Sequence, residues 1–284
     1  MDGRECKIVI NTGTQGGGKS NEQLRELYEK AYLVPVSERQ KSLIFDTNME
    51  FGAYKLDGKT PIKVQVLPHS NIEKYSASTG NKIMRIIPIH DNGEAMDEDE
   101  VEKLLIVMIK KFRNGILFID DLNNIFGDSL PADFAKTLTS VRHRRSDLVM
   151  NLQSVGRILP KMYQNVKTIR FHKQLDLIES SSDKIGSGEM PIFRLAEIMV
   201  EDQFRKGNIR YFVYIYRLEG KIRGNFSPKM FIRAIQEYLS VEYDRLIKKE
   251  LNKKDLLTGS PIYTSAKQVV DKKTAELYYK YYGN

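Results

Sequence analysis

Eight consecutive residues, Gly13, Thr14, Gln15, Gly16, Gly17, Gly18, Lys19 and Ser20, have the types and spacing to hold a phosphate chain. They fit the pattern G-x-x-x-x-G-K-[ST]. Successive backbone N–H groups must curl around the phosphates, and side chains at the points of closest approach would block them. Lys19 would set its ammonium against the terminal phosphates, and Ser20 would hold Mg²⁺ through its hydroxyl. A merely flexible glycine turn does not explain why Lys19 and Ser20 open a helix.

A second group of reactive residues closes an apolar run, Ile116-Leu117-Phe118-Ile119-Asp120-Asp121. In a phosphate site, the first acid orders Mg²⁺, usually through water, and the second orients or deprotonates the attacking water. Gln153 follows Leu148-Val149-Met150-Asn151-Leu152. It could reach a γ-phosphate or its attacking water, or it could simply cap a strand. Asp46 and Glu50 follow Leu43-Ile44-Phe45. They read equally well as groups near Mg²⁺ and as solvated carboxylates of a strand-end turn.

These residues need a parallel sheet to bring them together. Buried parallel strands read as continuous apolar runs, and such sheets present functional groups at the carboxyl ends of their strands. The runs at residues 7–10, 42–45, 115–119 and 147–152 fit this, as does residues 168–171. Helical periodicity falls at 21–31, at 99–113, where Val101, Leu104, Leu105, Met108, Ile109 and Phe112 share a face, and at 131–145. Residues 62–67 alternate as one strand, and 83–87 as another. Later, 193–204 and 228–251 read as helices, 208–216 as a strand, 180–188 as a flexible loop and 253–261 as a linker. The expected fold is α/β: a P-loop NTPase of RecA-like type, with a mostly parallel sheet flanked by helices and a C-terminal strand and helix extension. The expected division is an ATPase core over 1–251 and a linker with helical tail over 252–284. That tail ends in Tyr278, Tyr279, Tyr281 and Tyr282, which could stack on bases or, the preferred reading, dock on a neighbouring subunit.

The composition narrows the class. At 41% hydrophobic and 29% charged, the chain has the balance of a globular protein, and no apolar run approaches the roughly 20 residues of a membrane span. The first residues run straight into a strand, so no signal peptide is expected. A single cysteine, Cys6, rules out an internal disulfide framework, and one cysteine with four histidines offers no zinc spacing. The expected place is the cytoplasm. A net charge of +8 favours an anionic partner such as nucleic acid or a membrane surface.

Together these features resemble the FtsK–HerA superfamily of P-loop motor ATPases. The resemblance covers residues 7–172. Five features carry it, in order: Gly13 to Ser20; the turn from Asp46 to Glu50 and Phe51; Asp120-Asp121; the arginines Arg142, Arg144 and Arg145; and Gln153. Within the superfamily, the size looks most like the genome-packaging ATPases of membrane-containing viruses, and next like the Zot-type assembly proteins of filamentous phages. Two departures stand out: Asp121 where glutamate is commoner, which sets its water a methylene farther away, and the run of three glycines.

The resemblance implies ATP with Mg²⁺ and a homo-oligomeric ring, usually a hexamer, with each nucleotide shared between neighbours. It also implies an arginine supplied in trans, Arg145 first and Arg144 second, although the cluster could instead be a solvated helix end. DNA would be held by its backbone, without sequence readout, and driven into a capsid. A capsid vertex or a membrane-associated protein could be the docking partner, and the protein could be virion-associated in a host cytoplasm. Three other readings stand beside this motor. They are a Zot-type extrusion ATPase, a nucleotide-binding switch or scaffold with slow turnover, and a small-molecule kinase, for which no clamping lid is evident.

Overall fold

The computed structural model describes residues 6–55, 61–126 and 131–282. They form two compact units, residues 1–169 and 170–284.

In the first unit, the strands are β1 (Ile8–Thr12), β2 (Lys41–Phe45), β3 (Ala53–Lys55), β4 (Pro61–Lys63), β5 (Gln65–Val66), β6 (Ile83–Ile86), β7 (Gly115–Ile119) and β8 (Asp147–Leu152). The short strand β9 (Thr168–Phe171) spans the boundary between the units. The helices of the first unit are α1 (Lys19–Tyr28), α2 (Ile72–Ala77), α3 (Glu98–Lys111), α4 (Leu122–Phe126), α5 (Ala132–Ser140) and α6 (Pro160–Asn165). Strands run in the order β1-β8-β7-β2-β6-β5, and every pair among them is parallel. All residues of β2 and β7 are buried, as a sheet covered on both faces requires. Register sets Asn11 beside Asn151 and Phe45 beside Ile119. The ends of β1, β2, β7 and β8 therefore line up along one edge. This is the α/β fold of P-loop NTPases.

Local chemistry fixes the boundaries. Asp97 accepts from the Glu100 N–H while Glu100 accepts from the Asp97 N–H, a reciprocal cap that starts α3 just after the acidic loop. The expected single strand over 62–67 is divided. Residues 61–63 pair antiparallel with β3, Val64 turns inward and donates to the Gly52 carbonyl, and 65–66 pair with β6. Alternation cannot reveal a chain that changes partners.

The second unit contains α7 (Met190–Arg205), the antiparallel hairpin β10 (Val213–Tyr216) and β11 (Lys221–Gly224), α8 (Pro228–Val241), α9 (Lys249–Leu251) and α10 (Ala266–Tyr281). The expected strand over 208–216 shrinks to its last four residues, because 208–211 form a turn in which Tyr211 donates to the Asn208 carbonyl. The segment 180–188 is built of turns anchored by the buried Ile178 and Ile185. The tail packs on α8 of its own unit. Tyr278 and Tyr282 pack on Phe231 of α8 at ring-centroid distances of 6.2 and 5.5 Å. Lys221 and Arg223 donate to the carbonyls of Tyr279 and Tyr282, at 3.0 and 2.6 Å. Basic groups at a helix C-terminus also favour its dipole. The boundary between the two compact units falls between residues 169 and 170.

A candidate phosphate and magnesium site

The glycine loop leaves β1 and enters α1 without any side-chain cap, because Gly18 occupies the N-cap in a left-handed conformation with φ of 81°. The helix amides at that end are left for a ligand. A Cβ on Gly17 would stand 3.1 Å from the Thr14 carbonyl oxygen, a tight contact that a larger residue could make only if the loop gave by a few tenths of an ångström. Lys19 curls back, its ammonium donating to the carbonyls of Gly13 at 2.6 Å and Thr14 at 2.8 Å. Burial lowers its pKa, opposed by the charges of Asp120 and Asp121. Phosphate oxygens could take over from those two carbonyls.

Below the loop, Ser20 donates to Asp120 Oδ1 at 3.3 Å. Asp120 is 6% exposed, and its carboxyl is pushed up to about 6. Desolvation is the main cause; the charges of Asp121 and Glu50 add to it, and hydrogen bonds from Asn151 and Ser20 oppose it. Such a carboxylate favours a cation beside it. Among the described residues, no group of three or more His, Cys, Asp or Glu side chains could hold a metal. The hard-oxygen pair of Ser20 and Asp120 suits Mg²⁺, which usually keeps waters and takes its remaining ligands from phosphates. The residues therefore fit both groups named from the sequence.

Asp121 has a positive φ of 50°. Its Oδ2 accepts from the amides of Asn124 at 3.0 Å and Asn48 at 3.4 Å. Gln153 points its amide at Oδ1 from 3.5 Å, and its own N–H donates to the Asn123 side chain. Gln153 thus stands next to Asp121, at the end of β8.

Asp46, Arg144 and Arg145 have other surroundings. Asp46 is fully buried and accepts from the backbone N–H groups of Glu50 at 2.9 Å and Phe51 at 3.1 Å. Arg85 of β6 completes it with an ion pair at 2.7 Å. Asp46 therefore holds its turn together, and its oxygens are already taken. Arg144 and Arg145 lie just before β8, at the opposite edge of the sheet from the glycine loop. Arg144 donates to the carbonyl of Ile109 in α3 and accepts from the Asn114 N–H through its own carbonyl. Arg145 is exposed.

Sequence reasoning missed a buried polar chain beneath the site. Asn11 donates to Asn151 Oδ1 at 2.8 Å and to Gln23 Oε1 at 3.3 Å. Asn151 in turn donates to Asp120 Oδ1 at 2.5 Å and to Ser20 Oγ at 3.2 Å. The signal was available: an asparagine interrupts each of two apolar strands.

No family model and no curated protein matches the chain. Among solved structures, it is similar to the genome packaging NTPase B204 from Sulfolobus turreted icosahedral virus 2 in complex with AMP. That likeness has 16% identity and a TM-score of 0.49, and covers 80% of this chain and 99% of that one. It is also similar to the N-terminal domain of zonular occludens toxin from Neisseria meningitidis, at 14% identity and TM-score 0.35, over 58% and 76% of the two chains. A third is the Legionella pneumophila ATPase DotB, at 10% identity and TM-score 0.32, over 94% and 61%. The first two are the kinds of protein the sequence resemblance named. Among the described residues, no helix is long and apolar enough to cross a membrane.

Proposed function

We propose that the chain is an ATPase whose turnover drives DNA movement, most simply the packaging of a viral genome. The observation that carries this reading is the convergence of the uncapped glycine loop, Lys19, Ser20, Asp120, Asp121 and Gln153 at one edge of the sheet in the first unit. Gly13, Thr14, Gln15, Gly16, Gly17 and Gly18 would wrap the phosphates with backbone N–H groups. Lys19 would exchange its loop carbonyls for the terminal phosphates. Ser20 and Asp120 would hold Mg²⁺, which when bound neutralises charge on the β- and γ-phosphates. Asp121, steadied by Asn48 and Asn124, would orient the attacking water and accept its proton. Gln153 would report the state of the γ-phosphate through its contact with Asp121. Asn151 positions both Ser20 and Asp120.

In this reading the site needs an arginine from another copy, since Arg144 and Arg145 stand at the opposite edge of the sheet from the glycine loop of their own chain. Arg145, exposed, is the candidate, and Arg144, committed to Ile109, is not. The copies would form a ring, and the basic surface would hold the DNA backbone without reading bases. A slow nucleotide-binding switch is the second reading; it is favoured by the short Asp121 side chain, whose Oδ2 is already shared by two amides.

ATP turnover measured with and without double- and single-stranded DNA tests the proposal. Stimulation by DNA, abolished in Lys19→Ala, supports the motor. Turnover that is the same with and without DNA contradicts it and leaves the switch.

A further inference from the structure

Leu256 and Leu257 are almost completely exposed, yet the turn that carries them is tightly built. Asp255 Oδ1 accepts from the N–H groups of Leu257 at 3.0 Å and Thr258 at 2.8 Å, and from the Thr258 hydroxyl at 3.0 Å. The stem closes as Ile262 donates to the Lys253 carbonyl at 3.1 Å. Two adjacent leucines held out into water by an ordered turn mark a contact surface. Four lysines, Lys248, Lys249, Lys253 and Lys254, precede them, against Glu250 and Asp255.

The first unit offers a matching cleft of about 390 Å³, lined by Met49, Ile89, Met96, Val101 and Ile125, with Glu98 among its lining residues. Methionines let such a lining adapt to an incoming side chain. The segment 91–102 that borders it carries Asp91, Glu94, Asp97, Glu98, Asp99, Glu100 and Glu102, and not one lysine or arginine. The apolar knob with its basic collar is therefore complementary, in polarity and in charge, to an apolar cleft with an acidic rim. Opposed charges of this kind set partner choice and register.

We infer that the Leu256–Leu257 turn of one copy seats in the cleft between Met49 and Ile125 of a second copy, a head-to-tail contact. Such a contact joins unlike surfaces, so it propagates into a ring or a filament. It also reaches the candidate site. Asn124 lines the cleft and donates to Asp121, so an occupied cleft bears on the residue placed to orient water. The pairing rests on surface chemistry and stands whether or not the chain hydrolyses ATP.

Two variants of the full chain, each with one added cysteine, test it: Leu257→Cys and Met96→Cys, carrying tags of different mass. The native Cys6 is buried, and each variant oxidised alone is the control. Mixed and oxidised with copper phenanthroline, they should give a covalent product joining one chain of each kind, in excess over either variant alone. A paired charge reversal supplies a second readout. Lys249→Glu with Lys254→Glu should weaken self-association about tenfold or more, and Glu94→Lys with Glu98→Lys in the other copy should restore it. The inference is overturned if wild type stays monomeric at every attainable concentration, or if it associates while the mixture gives no heterodimer. A cross-link that forms only within a chain carrying both cysteines overturns it too. So does loss of binding to anionic phospholipid vesicles in Leu257→Asp without any change in association.

Discussion

The two edges of the parallel sheet in the first unit handle polar groups in opposite ways. At the amino-terminal edge they are consumed internally: Arg144 is tied to the Ile109 carbonyl, Asn114 donates to the Arg144 carbonyl, and the Lys7 N–H donates to Asp147 at 2.9 Å. At the carboxyl edge they are concentrated and left poised. The α1 terminus is uncapped, the Lys19 ammonium rests on two loop carbonyls, and Asp120 is a buried carboxyl whose pKa is raised to about 6. A folded chain tolerates such arrangements where a ligand will complete them. The same residue types thus give structure at one edge and chemistry at the other.

The largest effect expected from breaking this contrast concerns the arginines. If Arg145 serves a neighbouring copy, Arg145→Ala lowers ATP turnover by about 10³-fold or more while the unfolding midpoint barely moves. Equal turnover in the two proteins removes Arg145 from the mechanism.

Asp46 sits at the carboxyl edge yet behaves like the sealed one. Asp46→Asn leaves Arg85 without its buried counter-charge and should cost about 3–5 kcal/mol in urea unfolding. A loss below ~1 kcal/mol would mean that the turn does not depend on the pair.

Asp120 sharpens the contrast through pH. Its folded pKa lies above the ordinary 3.8, so between about pH 4 and 6 the folded protein binds more protons than the unfolded one. Stability therefore falls as pH rises through that window and stays lower above it. Asp120→Asn removes the penalty. Without nucleotide, it should be more stable than wild type at pH 7.5, by up to about 3 kcal/mol, and the difference should close below pH 4. Thermal unfolding across that range checks the sign, and a variant less stable at pH 7.5 refutes it. Binding of Mg²⁺ with nucleotide should weaken below pH 6, where a proton competes for Asp120.

The smallest effect is the mirror of the first. Arg144→Ala should lose about 1–3 kcal/mol of stability and leave turnover per folded molecule within about twofold of wild type.

How much of this was legible in the sequence follows from how far apart the partners lie. The glycine loop and the apolar run into Asp120 are local patterns, and each stands where its pattern placed it. Gln153 was reachable because it ends an apolar run. Asp46 was ambiguous because its decisive partner, Arg85, is 39 residues away on a different strand. The arginine cluster reads as one charged patch. Which guanidinium is already committed depends on a carbonyl 35 residues earlier, in α3. Asn11 and Asn151 meet only once strand order makes β1 and β8 neighbours. The seat of the tail aromatics, Phe231 on α8, was not legible because it is itself long-range.

The central claim is that the carboxyl edge is a phosphate and magnesium site. Calorimetric titration of Mg²⁺-ATP into wild type and Lys19→Ala tests it most directly. The account predicts saturable binding to wild type, weakened about 10²-fold or more in the variant, whose fold is otherwise intact by circular dichroism. Equal binding by the two proteins, or none by wild type, would contradict it.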